Sequence, residues 1–356
     1  MIGALKQLWD RLVPMRLDWL QVEVSSRCNA HCDYCPLTCY RGKLQGGLIE
    51  PATFARIEQE FSNVDLVFLQ GWGEPLTHPD LWKMVGSVKS HSSRAGFATN
   101  GTLLTKRTIS QLLDSGVDVM AVSLAGATAA THERLRRGCG FAQIDAGLDA
   151  LQREKRVSQQ SEPAVHIAYL LTQTNWQEVE ALPALAARWD VSEVVISNLS
   201  LVTRNELNRE SLLANPAMWP QVREALEHAK EKAAGEGVGL HYYEPDLSAP
   251  QKVCTENVLR SCFVSHRGDV SPCVMTNLSV LPRATLQYHM GGIERGFEHM
   301  LFGNVNRQSL QEIWCSKAAR DFRETFQQRI EMEDPGTQTL PGPCRHCYKL
   351  YERLAG

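Results

Sequence analysis

Through the first two hundred residues, short apolar and β-branched runs alternate with longer segments whose apolar positions recur every three to four residues. The runs are DWLQVEV (18–24), VDLVFLQ (64–70), RAGFAT (94–99), VDVMAVSL (117–124), AVHIAYLL (164–171) and VVISNLSL (194–201). Amphipathic segments lie at 50–61, 80–91, 105–115, 141–155, 175–189 and 217–234. Near-continuous apolarity is what a strand buried on both faces requires, and a period near 3.6 suits a helix that covers such a sheet. Strand–helix units in series predict an α/β fold with a parallel sheet, as an open partial barrel or a doubly wound sheet.

The polar and Gly- or Cys-rich residues follow the strands directly. SSRCNAHCDYC follows the first, GWGEP the second, NG the third and AG the fourth. In parallel α/β folds the site lies at the carboxyl ends of the strands, so these motifs are expected around one mouth. After residue 236 the texture changes to a strand (VGLHYY), a cysteine-bearing segment, a loop near 280–296, a helix at 308–329 and the tail PGPCRHCYKLYERLAG. The expected organisation is an N-terminal extension (1–17), a six-unit barrel or sheet (18–236) and a small C-terminal domain (237–356).

Composition narrows the function classes. The chain of 356 residues is 43% hydrophobic and 22% charged with net charge −3, which suits a packed protein and offers no basic footprint for nucleic acid or an anionic membrane. No apolar run is long enough to span a bilayer. Asp10 and Arg11 interrupt what would be a signal-peptide core, so a cytoplasmic setting is expected. The eleven cysteines are an odd number and clustered, and in a reducing compartment that pattern points to metal or catalysis.

Cys28, Cys32 and Cys35 form one trio on the first strand-to-helix loop. One reading is a structural zinc site completed by Cys39 or His31. The other is a 4Fe–4S cluster with one iron left open for a ligand. CNAHCDYC, with Tyr34 before its last cysteine, resembles the CxxxCxxC loop of radical S-adenosylmethionine (SAM) enzymes. Its place after the first strand, with GWGEP after the second, strengthens that resemblance. The resemblance covers about residues 18–200 and favours the partial (βα)6 TIM-like barrel. It implies that SAM binds the open iron, is cleaved by one electron, and yields a 5′-deoxyadenosyl radical that takes hydrogen from a substrate.

The same resemblance implies the other SAM contacts. Gly71, Gly73 and Glu74 of GWGEP would hold the ammonium group, with Trp72 where many members have glycine. Ser123 in VSLAG would lie near the carboxylate or ribose, with Ala125 in place of the usual aspartate. In HERLRRGCGF, Arg136 would meet the carboxylate, with Arg137 as its alternative. Asn100 is expected to shape the turn after the third strand.

A second set of thiols comes from LRSCFVSHRGDVSPC and CRHC. A two-residue Arg267-Gly268 turn would place Cys262 opposite Cys273 on one hairpin face. With Cys344 and Cys347 they make four ligands, for a closed 4Fe–4S cluster or a zinc ion. The pattern resembles the SPASM or shortened twitch domain of radical SAM maturases, which implies one auxiliary 4Fe–4S cluster, because no further cysteine follows Cys347. Cys254 is an alternative ligand. Cys39, Cys139 and Cys315 read as small buried side chains.

The relatives so implied modify peptides, tetrapyrrole side chains or enzyme cofactors, and the chain looks most like maturases near the tungsten-cofactor-modifying group. The seventeen residues before the first strand are too few for a leader-gripping domain, which tilts the expectation toward a cofactor-like substrate over a peptide. A tetrapyrrole decarboxylase-type enzyme and a non-catalytic iron–sulfur or zinc scaffold are the alternatives. The implied partner is a one-electron donor such as ferredoxin or flavodoxin.

Overall fold

A computed structural model describes residues 15–355; most of the expected N-terminal extension lies outside the described residues. The six expected strands form as β1 (Leu17–Val22), β2 (Val64–Phe68), β3 (Arg94–Thr99), β4 (Val119–Leu124), β5 (Ala164–Leu171) and β6 (Glu193–Asn198). Each pairs in parallel with the next. The helices α1 (Pro51–Glu58), α2 (Leu81–Ser90), α3 (Lys106–Ser115), α4 (Phe141–Ser158), α5 (Leu182–Arg188) and α6 (Trp219–Gly235) join them or follow the last. The expected helix at 175–189 starts late because Pro183 lacks an N–H and fits only the first turn. A 3₁₀ segment, Trp176–Ala181, fills the difference.

The core lies between sheet and helices, where Leu20, Val67, Phe97, Met120, Ile167 and Val194 meet Ile57, Val85, Leu112 and Leu148. β3 and β4 are buried almost throughout, whereas β5 and β6 alternate buried and half-buried positions. Of their half-buried positions, Leu170 and Ser197 line the cavity at the mouth of the barrel.

The parallel array continues past position 237. β7 (Gly239–Pro245) pairs in parallel with β6, and β8 (Ser261–Val264) pairs in parallel with the other side of β1. β9 (Asp269–Ser271) turns back along β8, and β12 (Gly303–Asn304) lies on β9. β13 (Glu352–Ala355) caps β7 in antiparallel fashion. Among the described residues the sheet has eleven strands with β12 and β13 at its margins, a partial barrel that does not close on itself. The segment near 280–296, expected as a loop, contains a hairpin of β10 (Gln287–Met290) and β11 (Ile293–Gly296). Its two turn residues, Gly291 and Gly292, both have positive φ, as a two-residue hairpin turn requires. The helix expected at 308–329 is broken in two. Ser316 caps the second piece, α7 (Lys317–Glu331), by accepting from the Ala319 N–H.

Candidate active site

The carboxyl ends of β1–β6 ring a cavity of about 370 Å³. Its lining includes Cys28, Cys32, Tyr34 and Cys35 from the first loop, Gly71 to Glu74 from the second, Ser123 near the end of β4, and Arg136. The structure therefore brings together every residue that the sequence motifs point to for a SAM cluster and its ligand.

The cysteine loop is held by its backbone. Cys35 N donates to Cys32 O at 3.1 Å, and Pro36 then opens a single helical turn. His31 N donates to Arg137 O and Asp33 N to Leu135 O, which ties the loop to the segment that carries Arg136. Asn100 Nδ2 approaches Cys28 Sγ at 3.9 Å, and its Oδ1 accepts from Thr102 N, so it both shapes the turn and touches the trio. Burial pushes the Cys28 thiol up and takes Cys35 up to about 12. A hydrogen bond from the Cys139 thiol holds Cys32 below the ordinary thiol range. Cys139 is thus a neighbour of the trio, which its position in the sequence does not reveal.

Gly73 lies against the backbone that leads into Cys28. A Cβ there would be 2.4 Å from Ser25 O and 2.5 Å from Arg27 O. Glu74 N donates to Arg27 O at 2.8 Å. The buried Glu74 carboxylate accepts from Thr99 Oγ1 at 2.8 Å, Asn100 N at 2.7 Å and Leu76 N at 3.1 Å, so it joins two loops besides facing the cavity. Burial raises its pKa against these donors. Arg136 Nη1 donates to Tyr34 Oη at 2.7 Å, while its buried Nε has no partner. Arg137, the alternative, is exposed and pairs with Asp33. Of the two arginines, Arg136 is the one in the cavity lining, where a guanidinium suits an anionic ligand group. Ala125 is fully buried and supplies no side-chain polar contact.

Neither candidate fourth ligand joins the trio. Cys39 Sγ donates to Asp33 O at 3.2 Å, and the exposed His31 meets Arg41 through Nδ1. Three thiols around a space that neither Cys39 nor His31 enters fit a cluster with one open iron. Among the described residues no group of three His, Cys, Asp or Glu side chains converges as tightly as one metal ion needs.

The second thiol set departs from the expected one. Cys254, Cys273, Cys344 and Cys347 line one small cavity of about 40 Å³, and Cys262 does not. The reason is the hairpin register. Ser265 and Asp269 close a three-residue loop, and Gly268, with φ +83°, supplies the left-handed position. Phe263 therefore pairs with Ser271 and Val264 with Val270, one residue off the register of an Arg267-Gly268 turn. A slip of one residue reverses the faces. Cys262 pairs with Leu20 of β1 and is buried in the apolar core, where burial takes its thiol up to about 12. Cys273 lies just beyond the strand and lines the cavity with the other three. The four meet from both margins of the sheet: Cys254 and Cys273 flank the β8–β9 hairpin, and Cys344 and Cys347 precede β13. Burial raises all four, Cys273 to about 12 and Cys347 to about 11, and a metal centre would displace their protons.

The two cavities share a wall. Ser200, Leu201, Met275 and Lys349 line both. Lys349 Nζ stands 3.4 Å from Glu256 and 3.4 Å from the fully buried Glu352. The sequence gives no signal for this lysine beyond its place two residues after Cys347.

An open parallel barrel with three thiols and a glycine-rich loop at its mouth, joined to a four-thiol domain, defines the class of radical SAM proteins with an auxiliary cluster domain. The chain belongs to that class: residues 22–186 match the radical SAM superfamily, and residues 254–348 match the SPASM iron–sulfur cluster-binding domain. The chain is 26% identical over 315 residues to the tungsten-containing aldehyde ferredoxin oxidoreductase cofactor-modifying protein of Pyrococcus furiosus, covering 86% of this chain and 83% of that one. It is 26% identical over 331 residues to the PqqA peptide cyclase of Streptomyces rochei, covering 92% and 80%. The fold is also that of Streptococcus suis SuiB bound to S-adenosylmethionine, with a TM-score of 0.63, 15% identity and coverage of 90% and 71%.

Proposed function

We propose that this radical SAM enzyme is a maturase of a peptide or an enzyme cofactor, with its substrate held between two iron–sulfur centres. The observation that carries this reading is the wall of Ser200, Leu201, Met275 and Lys349, which faces the trio on one side and the four thiols on the other. Cys28, Cys32 and Cys35 would hold the first 4Fe–4S cluster, and Cys254, Cys273, Cys344 and Cys347 the second. Once loaded, the first cluster supplies one-electron cleavage of SAM, with hydrogen abstraction from the substrate as the outcome. Arg136 would orient the SAM carboxylate through its guanidinium, and the backbone of Gly71 to Glu74 would receive the ammonium end. The relatives' names, one a cofactor-modifying protein and one a peptide cyclase, support the substrate classes.

The electron donor in this reading is a flavodoxin or ferredoxin, and the setting is the cytoplasm. No helix among the described residues is long and apolar enough to cross a membrane. The test is anaerobic reconstitution followed by dithionite and SAM. Wild type is expected to release 5′-deoxyadenosine and Cys32→Ala none. Cys273→Ala is expected to retain some uncoupled cleavage and to lose product once a substrate is in hand. Fully reconstituted wild type that releases no 5′-deoxyadenosine rules the reading out.

A further inference from the structure

The buried pair of Glu23 and His266 has no place in the chemistry above. Glu23 follows β1, and His266 sits in the loop of the β8–β9 hairpin. Both are nearly inaccessible, at 2% and 6%. One Glu23 oxygen, Oε2, accepts from His266 N at 3.3 Å and lies 2.9 Å from His266 Nδ1. The other, Oε1, accepts from the backbone N–H of Trp72 at 3.0 Å. Glu23 also fills the space beside Gly71, where a Cβ would be 2.3 Å from Glu23 Cγ. The GWGEP loop thus takes its shape from a carboxylate whose other end is gripped by the auxiliary domain.

A second tie runs alongside. Trp72 Nε1 donates to Asn277 O at 3.1 Å. His266 and Asn277 stand on either side of Cys273, in one short segment. That segment is fixed at Cys273 by whatever the four thiols hold, and it is fixed at its two flanks to the loop expected to bind SAM.

We propose that Glu23 and His266 are positioning residues that couple SAM binding to assembly of the auxiliary centre. A filled auxiliary site fixes Cys273, the hairpin holds His266, and Glu23 then holds the Trp72 N–H so that the carbonyls of the glycine loop face the ligand. By linkage the effect is reciprocal, so bound SAM strengthens retention of the auxiliary centre by the same factor. This rests on the function proposed above.

The test is the SAM dissociation constant of anaerobically reconstituted protein, measured by equilibrium dialysis, with iron content and the spectrum of the first cluster as controls. Cys273→Ala is expected to weaken SAM binding about 5-fold or more, the lower end of common coupling. His266→Leu should do likewise while it keeps the iron of both centres. The double variant should be no weaker than the weaker single, because both changes cut one connection. His266→Asn, which keeps a donor near the Nδ1 position, should stay within about 2-fold of wild type. Losses that multiply in the double variant, an unchanged SAM affinity in Cys273→Ala, or a His266→Asn as weak as His266→Leu would each overturn the coupling. Should His266→Leu fail to fold, the Cys273→Ala and His266→Asn results still decide. A wild type that binds no SAM would sink the underlying function instead.

Discussion

Replacing Cys254 and Cys262 by alanine, one at a time, separates the two candidate ligand sets. Cys254 lines the cavity with Cys273, Cys344 and Cys347, and Cys262 is 1% exposed in the core beside Leu20. Cys254→Ala removes one of four thiols. Reconstituted protein is expected to fall from about eight irons per chain toward about four, with a matching loss of visible absorbance. Cys262→Ala removes one buried sulfur from a packed site. Losing an atom group the size of a methylene costs about 1 kcal/mol in a core that relaxes only partly. In a domain of this size that lowers the melting temperature by about 2–4 °C and leaves the iron count unchanged. Iron analysis and a thermal melt of the two variants, prepared side by side, suffice. A Cys262→Ala protein that loses half its iron while Cys254→Ala keeps it would refute the register argument.

Other outcomes follow from single contacts. Gly73→Ala places a Cβ within 2.4–2.8 Å of backbone atoms of Ser25 and Arg27, which cannot swing aside. It should cost about 1–3 kcal/mol as local overpacking and weaken SAM binding about tenfold or more by dialysis. Cys39→Ser keeps a donor to Asp33 O and should leave the iron of the first cluster unchanged, whereas a loss of iron would make Cys39 a ligand. Lys349→Met leaves Glu256 and Glu352 facing each other without their cation, and chemical denaturation should show a loss of about 3–5 kcal/mol; no change would mean the pair is neutralised another way.

The barrel half was legible because its signals are local. Strands buried on both faces print continuous apolar runs, and the motifs that follow them must share one end of a parallel sheet. The three cysteines, the glycine loop, Ser123 and Arg136 accordingly fall in one cavity lining. The auxiliary half was less legible because its geometry depends on turn type. Arg267-Gly268 reads equally as a two-residue turn or as the end of a three-residue loop, and that single residue decides which face Cys262 takes. Glu23 and His266 were missed because each acquires meaning only through the other, 243 residues away, and Lys349 because Glu256, one of its two carboxylate partners, is remote in sequence. The Gly291-Gly292 hairpin carried a turn signal in the sequence, masked by its polar surroundings.

The sheet runs from β12 to β13 without meeting itself, and the four auxiliary thiols come from the connections at its two margins. A metal centre there would act as a buckle. It would bind covalently across about ninety residues of chain, and by the loop-entropy relation such a tie is worth about 4–5 kcal/mol against the unfolded state. Loss of the centre, as on exposure to air, therefore loosens the staves of the vessel in which the radical is to be made.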